Sequence, residues 1–513
     1  MKRRDFLKSS SLAAGFTLGT IPVWASHNML FDVTDEDTIL VVVQLFGGND
    51  GLNTVIPADN DLYYSKYRKK TSLAKNLLVR VGNSNSYLNP AMLKGAKNGL
   101  KGLYDEGKLA IIQGVGYPNN NLSHFRSTDI WLSGQVPADD SELLSTGWLG
   151  RYTDNIGGEP VDPPCMNIGN ESSLLFQSAK RNTGISIEDP NQFYEGGKGV
   201  ISGESTQAGT NKFTAEYNYL IDLGILSNKY SQVVKAAFDK GKNASEYASG
   251  KLSDELKLVA KLISGGLKTK VYMVSLDGFD THANQGSLDG VHAGLLRQVS
   301  ESISHFMADL KAQKLSNKVV GMTVSEFGRR PNENESLGSD HGSAGVMFMF
   351  GDAVKGDVYG KAFDFSDLDK NKDFNHQYDY RAVYDEVLSK WLPSSSNTAS
   401  QILGKKYAHI NGSGILRTGG TQLLLSVPEP RTSLAYPNPA LQGTLNLKFQ
   451  LARAGEVSLA QNSTTGRRFS LMQNIPFPTG MHDIPVQLIG GPGVHILELL
   501  KNGQRETFKV IWP

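Results

Sequence analysis

The sequence is poor in cysteine, in net charge and in long hydrophobic runs. Its 513 residues include a single cysteine, Cys165, so an intramolecular disulfide is excluded. Stability must therefore come from burial of a core, which a chain of this length can supply. The formal net charge of +1 argues against nucleic acid as a partner, since such proteins usually carry a strongly basic surface. A hydrophobic content of 39% is that of an ordinary folded protein.

The N-terminus carries the most specific local pattern. Residues 1–26 read MKRRDFLKSSSLAAGFTLGTIPVWAS, with Arg3 and Arg4 ahead of a modest apolar stretch. This segment resembles a twin-arginine export signal, and the alternative is a basic tail before a core helix. The apolar stretch is shorter than the roughly 20 residues of a membrane span, so we expect no transmembrane span in the mature form. The resemblance implies the twin-arginine translocase as a partner and an exported protein in the periplasm, at the cell surface or secreted.

Hydrophobic patterning beyond the signal alternates between two periods. Apolar, β-branched runs predict strands, and amphipathic spacing predicts helices. The predicted strands are 38–46, 109–115, 270–276, 318–325 and 346–351, and the predicted helices are 90–106, 123–132, 253–263, 288–314 and 380–392. Such alternation predicts an α/β domain over residues 27–425, with a mostly parallel sheet flanked by helices. The Gly-, Ser- and Asn-rich stretch 160–251 is expected to be an insertion.

The patterning changes again near residue 430. Residues 430–513 contain short alternating runs separated by Gly and Asn turns, which predicts an all-β, Ig-like sandwich. The Tyr436-Pro437-Asn438-Pro439 stretch and the closing HILELLKNGQRETFKVI resemble the C-terminal sorting domain of the type IX secretion system of Bacteroidota. The resemblance implies the type IX secretion machinery as a further partner. The alternative is an ordinary accessory β-module.

Polar residues follow several of the predicted strands, where ligands of parallel sheets gather. Asp50 lies in the Gly-rich stretch after the first strand, although Asn-Asp-Gly is also a common turn. Ser123 stands at a predicted helix start, where it could be an N-cap or a nucleophile beside a metal. His124 and Arg126 follow it as candidate substrate-binding residues, and solvation alone would also explain the arginine.

The strongest pattern lies in two later segments. LDGFDTHAN at 276–284 offers carboxylates and an imidazole on one loop, including Asp277 and His282, a combination that suits zinc and similar cations. In the second segment, Asp340 and His341 adjoin on a Gly-flanked turn, and Arg329 offers a forked donor for an oxyanion. A surface turn could explain either segment alone.

The order of these segments resembles the alkaline phosphatase/sulfatase superfamily. Within it, the stretches VVVQLFGGNDGLNT, SHF, LDGFDTH and SEFGRRPNENESLGSDHGSAGVMFMFG are similar to an uncharacterised family exported by the twin-arginine route, a domain of unknown function. The resemblance implies an alkaline phosphatase-like fold and a hydrolase of phosphate or sulfate esters, whether small molecules or polymers.

The same resemblance implies roles for individual residues. Ser123 would be the nucleophile beside two divalent metals, with zinc expected ahead of calcium or magnesium. Asp50, Asp340 and His341 would bind one metal, and Asp277 and His282 the other. The candidates for the superfamily's further late histidine are His376 ahead of His409, and neither lies in a recognisable motif. The alternative is therefore a catalytically inactive surface protein that keeps the fold for binding or assembly.

Overall fold

The structure is a computed structural model that describes residues 38–82, 85–139, 141–155, 160–178, 184–197, 227–392, 396–417, 433–451, 454–463, 468–501 and 504–512. The predicted export signal at 1–26 lies outside these residues. The chain divides into two compact units, Met1–Gln422 and Leu423–Pro513.

A large sheet is the centre of the first unit. The strands of this unit are β1 (Ile39–Leu45), β2 (Val55–Ile56), β3 (Val79–Arg80), β4 (Tyr87–Leu88), β5 (Leu109–Gly116), β6 (Cys165–Ile168), β7 (Gly184–Ile187), β8 (Val271–Leu276), β9 (Val319–Val324), β10 (Gly328–Glu333), β11 (Ser339–Gly342), β12 (Gly345–Gly351), β13 (Asp357–Tyr359) and β14 (Tyr378–Asp379). Nine of them form one sheet in the order β13-β5-β12-β9-β1-β8-β6-β7, with β14 beside β5. Within the described residues, β12 is antiparallel to its neighbours and the other pairs of this sheet are parallel. The predicted mostly parallel α/β sheet is thus confirmed.

Part of the stretch 160–251 belongs to this sheet. Strand β6 pairs with β8, and β7 pairs with β6 at the sheet's edge, both in parallel. The sequence predicts an insertion here because the stretch is rich in Gly, Ser and Asn and its hydrophobic patterning is weak. Strand β6 has only four residues, and because Cys165 and Met166 are buried, it suffices to extend the sheet.

The helices cover both faces of the sheet. Alternate residues of β1 pack in opposite directions, with Val41 and Val43 in one core and Leu40 and Val42 in the other. Such a strand, buried on both faces, reads as a continuous apolar run. The helices are Gly51–Thr54, Gly99–Asp105, His124–Ser133, Trp148–Thr153, Pro190–Gly197, 227–240, Lys251–Ser264, Val291–Ala312, Tyr380–Lys390 and Ser396–Leu403, with single turns at Tyr63–Tyr67, Lys75–Leu77, Pro90–Leu93, Ala96–Asn98, Leu174–Phe176 and Ser316–Lys318. None of the helices in the described ranges has the length and hydropathy of a membrane span.

The prediction of a single helix over residues 90–106 was wrong. Only Gly99–Asp105 is α-helical, after a short turn at Pro90–Leu93. Gly95 and Gly99 adopt φ values of +117° and +63°, which interrupt a right-handed helix. A Cβ on Gly99 would lie 2.4 Å from the Lys94 carbonyl oxygen and 2.3 Å from Ser300 Oγ of the helix Val291–Ala312, so this position has no room for a side chain.

The second unit is all-β. Its strands are β15 (Leu434–Leu441), β16 (Thr444–Leu451), β17 (Gly455–Ser463), β18 (Arg468–Phe477), β19 (Gly480–Gln487), β20 (Gly493–Lys501) and β21 (Gln504–Trp512). They form antiparallel sheets in the orders β15-β16-β19 and β18-β17-β20-β21. Apolar residues from both sheets, including Leu447, Phe449 and Leu497, share one core. The antiparallel architecture agrees with the sequence pattern, while the Ig-like topology stays a prediction.

Candidate metal centre

The loops that follow the central strands meet at one edge of the sheet. Strand β1 lies between β8 and β9, and in the paired registers all three end within a residue of one another. The approach is close, because a Cβ on Gly47, whose φ is +121°, would lie 2.3 Å from the backbone nitrogen of Asp280. A Cβ on Gly338 would lie 2.3 Å from the carbonyl carbon of His282. The chain therefore brings polar groups from distant segments together.

Five side chains at this edge, which we call the rim cluster, are His124, Asp280, His282, Asp340 and His341. The Nε2 atoms of His282 and His341 are 2.8 Å apart. Asp280 Oδ1 lies 3.1 Å from His282 Nε2 and 3.3 Å from His341 Nε2, and Asp280 Oδ2 lies 3.4 Å from His124 Nε2. His282 Nδ1 lies 3.3 Å from Asp340 Oδ1. One donor atom from each of His124, Asp280 and His341 falls within 4.8 Å of the others, so these three can hold a metal ion.

The rim cluster is accessible at its surface and supported underneath. The side chains of His124 and Asp280 are 22% and 46% exposed. Partial burial would raise the pKa of Asp280, but the hydrogen bonds and charge of Arg329 lower it below its ordinary value. Burial lowers the pKa of His341, helped by the Arg329 charge. An ionised carboxylate and a neutral imidazole are the protonation states that metal ligands require.

Two of the histidines are oriented by acceptors behind them. Glu326 Oε1 lies 2.8 Å from His124 Nδ1 and also accepts a hydrogen bond from the Gly47 N–H. The carbonyl oxygen of Leu122 lies 2.8 Å from His341 Nδ1. Glu326 is 2% exposed, and its buried Oε2 has no hydrogen-bond partner among the residues that the structure describes.

Arg329 is a buried connector of the loops. Its guanidinium donates to the carbonyl oxygens of Gly48, Gly47, Phe279 and Ser339, and at 2.8 Å to Asp280 Oδ1. The side chain has no exposed surface. Its donors are therefore directed at protein oxygens, in contrast to the substrate oxyanion expected from the sequence.

Asp50 lies apart from the rim cluster in a buried ion pair with Arg68. Both oxygens of Asp50 accept hydrogen bonds from the Arg68 guanidinium, and Gln285 Nε2 donates to Oδ2 at 2.6 Å. Neither charged side chain has exposed surface. Burial would raise the pKa of Asp50, but the charge and hydrogen bonds of Arg68 lower it. The sequence suggested a metal ligand at this position, and the structure gives the carboxylate a protein cation instead.

Asp277 also lies apart from the cluster. Its side chain is 66% exposed and contacts Lys251 Nζ at 3.5 Å. Ser123 is exposed directly before His124, at the start of the helix His124–Ser133, and its hydroxyl makes no capping hydrogen bond. Arg126, in the first turn of this helix, donates to the Asp139 carbonyl oxygen at 3.3 Å.

The structure thus brings together His282, Asp340 and His341 from the expected metal set, and His124 from the expected substrate set. It leaves Asp50 and Asp277 outside. The sequence pattern indicates Asp280 only as one carboxylate of the loop 276–284, and it gives no role to Glu326. Their positions directly after β8 and β9 were the available signal, because side chains there lie at the rim.

Comparisons with known proteins give weak structural likenesses. The solved structures include a sulfatase from Pseudoalteromonas sp., at 13% identity and a TM-score of 0.29, covering 88% of this chain and 84% of that one. A protein in the alkaline phosphatase superfamily from Vibrio parahaemolyticus has 9% identity and a TM-score of 0.32, covering 93% and 91%. A phosphonate monoester hydrolase from Silicibacter pomeroyi has 8% identity and a TM-score of 0.30, covering 92% and 88%. TM-scores at this level do not establish a common fold.

No curated protein matches the chain. Residues 110–386 match a protein family described as "Protein of unknown function (DUF1501)". The matched region includes the helix that begins at His124, strands β8 and β9, and the hairpin β10–β11, which together supply every member of the rim cluster. The match spans more than half of the chain, which therefore belongs to the DUF1501 family.

Proposed function

We propose that this protein is an exported, metal-dependent hydrolase of phosphate or sulfate esters with Ser123 as its nucleophile. The observation that carries the proposal is the position of Ser123, whose side chain is exposed and makes no capping hydrogen bond. Ser123 directly precedes His124, whose imidazole belongs to the rim cluster. The resemblance of the segment order to the alkaline phosphatase/sulfatase superfamily supports the same chemistry.

The protein's own groups suit an anionic ester. Ser123 precedes a ten-residue helix, and the partial positive charge at a helix N-terminus favours an anion. His124, Asp280 and His341 would hold the cation beside it. When bound, a divalent cation would polarise the ester oxygen and stabilise the developing charge.

Arg330 is the better candidate for a substrate-binding arginine than Arg329. The guanidinium of Arg329 is buried and donates its hydrogen bonds to protein oxygens, whereas 42% of the Arg330 side chain is exposed. Arg330 Nε donates to the His341 carbonyl oxygen at 3.3 Å, which keeps the guanidinium beside the cluster. Its remaining donors suit a forked interaction with a phosphate or sulfate group.

A second candidate function is binding or assembly without catalysis. The observation that favours it is the use of Asp50 and Arg329 in internal contacts, because both were expected to serve the substrate or a metal. A protein of this kind would keep the fold and the cation while lacking turnover.

An activity screen separates the two candidates. We would assay the full chain, supplied with Zn²⁺, on aryl phosphates, phosphodiesters and aryl sulfates, together with Ser123→Ala and Asp277→Asn. Hydrolysis should fall by about 1,000-fold or more in Ser123→Ala and stay at the wild-type level in Asp277→Asn, whose carboxylate lies outside the cluster. Absence of turnover on all three classes, with zinc bound, favours the binding protein.

Export and sorting complete the proposal. The Arg3-Arg4 pattern supports entry through the twin-arginine translocase, and the all-β second unit supports recognition by the type IX secretion machinery. Fusion of residues 1–26 to a folded reporter tests the first step, since export should be lost when both arginines are changed to lysine.

A further inference from the structure

The rim cluster has the form of a centre for a single ion. The hydrolase proposal leaves open how many ions bind and which residues hold them. In the cluster, His124 Nε2 and His341 Nε2 lie 3.4 Å and 3.3 Å from the two oxygens of Asp280. A tetrahedral ion with bonds of about 2.0–2.1 Å separates its ligand atoms by about 3.3–3.4 Å. Each of the two histidines therefore stands at ligand spacing from one oxygen of Asp280, and one donor atom from each of the three residues falls within 4.8 Å of the others.

The hydrogen bonds behind the histidines fix the ring nitrogen that faces the cluster. A carbonyl oxygen only accepts, so His341 Nδ1 must carry the hydrogen that Leu122 receives, and the neutral ring keeps its lone pair on Nε2. The Glu326 carboxylate imposes the same tautomer on His124. Metal-bound histidines typically have such a partner at the other ring nitrogen.

The third group is held in the same manner. Arg329 donates to Asp280 Oδ1 at 2.8 Å, and the guanidinium is itself held by backbone carbonyl oxygens. Each of the three groups thus has its own supporting partner. A surface cluster of unrelated function would not need three separate supports.

The close pair of histidines points to the same cation. His341 Nε2 has no hydrogen in this tautomer, yet His282 Nε2 lies 2.8 Å away and Asp280 Oδ1 3.3 Å away. A cation bound to this lone pair would take the place of the hydrogen bond that His282 Nε2 can otherwise donate to it.

We propose that His124, Asp280 and His341 form a one-ion, two-histidine-one-carboxylate centre for a transition metal of the zinc type, with Glu326, Arg329 and the Leu122 carbonyl as positioning groups. Two imidazoles favour zinc and its neighbours, because calcium and magnesium prefer sets of oxygen ligands. This inference deepens the proposed function. Only the catalytic role of the ion rests on the proposed hydrolase activity.

Metal titration of the full chain tests the proposal. Chelator-treated protein would be dialysed against Zn²⁺, Co²⁺, Ca²⁺ or Mg²⁺, and bound metal measured by elemental analysis, with circular dichroism as the check on folding. We expect one Zn²⁺ or Co²⁺ per chain and weaker binding of Ca²⁺ and Mg²⁺. Tighter binding of Ca²⁺ or Mg²⁺ than of Zn²⁺, or two Zn²⁺ per chain lost together in His341→Ala, would overturn the proposal.

Variants locate the ion. His124→Ala and His341→Ala should each lose Zn²⁺ and the visible absorption of bound Co²⁺, which reports nitrogen ligation. Glu326→Gln, which keeps an acceptor for the Gly47 N–H, should bind Zn²⁺ about 10–100-fold more weakly. Asp277→Asn is the matched control and should bind as the wild type does. If folded His124→Ala binds Zn²⁺ normally, or if Asp277→Asn loses it, the assignment is wrong.

The two proposals fail separately. Zinc binding as expected without hydrolysis of any ester removes the hydrolase and leaves the centre in place. Zinc-dependent ester hydrolysis that persists unchanged in folded His341→Ala removes the centre from the mechanism and leaves the metal-dependent hydrolase.

Discussion

The buried pair of Asp50 and Arg68 gives the sharpest prediction about stability. Asp50→Asn removes one charge and leaves the Arg68 guanidinium buried without its counterion. If Asp50 served a metal, as the sequence suggested, the substitution would act on metal content. If it serves the fold, the substitution acts on the free energy of unfolding.

The magnitude follows from burial. Neither side chain has exposed surface, and removing one partner of a buried pair costs about 3–5 kcal/mol. Arg68 retains hydrogen bonds to the carbonyl oxygens of Pro331 and Arg330, each at 2.9 Å. We therefore expect the lower part of this range, about 3 kcal/mol.

Urea unfolding followed by tryptophan fluorescence provides the assay, since Trp131, Trp148 and Trp391 all lie in the first unit. Folded Asp50→Asn should bind as much Zn²⁺ as the wild type. The exposed control Asp277→Asn should change stability by no more than about 1 kcal/mol. Wild-type stability combined with loss of zinc in Asp50→Asn would refute the assignment of Asp50 to the fold.

Two further predictions concern groups near the rim. Burial raises the pKa of Glu255 to about 7, so its contribution to stability is present below its ordinary pKa of about 4.5 and is lost as the pH rises through 7. Glu255→Gln keeps an acceptor for the Ser275 N–H. In denaturant titrations, its free energy of unfolding relative to the wild type should therefore rise by up to about 3 kcal/mol between pH 5 and pH 8. A stability difference that does not change with pH would contradict this prediction. Gly338→Ala places a Cβ against the His282 backbone. It should destabilise the protein by about 1–3 kcal/mol and weaken zinc binding. Wild-type stability and wild-type zinc binding in this variant would show that the two loops can separate freely.

The sheet could be predicted because its central strands are buried on both faces. The run ILVVVQL in β1 has no polar residue before Gln44, and such a run has few alternatives to a covered strand. Local backbone conformation was harder to predict. Helical spacing over 90–106 did not reveal that Gly95 and Gly99 adopt positive φ, since glycine is compatible with either outcome.

The site could be predicted as a place but only in part as a set of residues. Loops after parallel strands were expected to meet, and His282 and His341 do meet. The ion pair of Asp50 could not be predicted, because its partner Arg68 lies 18 residues away in a segment without a motif. Long-range pairings of this kind follow from packing rather than from local pattern.

The most direct measurement is anomalous diffraction from crystals equilibrated with Zn²⁺, recorded on both sides of the zinc absorption edge. We expect one peak within the described part of the first unit, bonded at about 2.0–2.2 Å to His124, Asp280 and His341. A peak at Asp50 or Asp277, or none at the rim cluster, would contradict the centre.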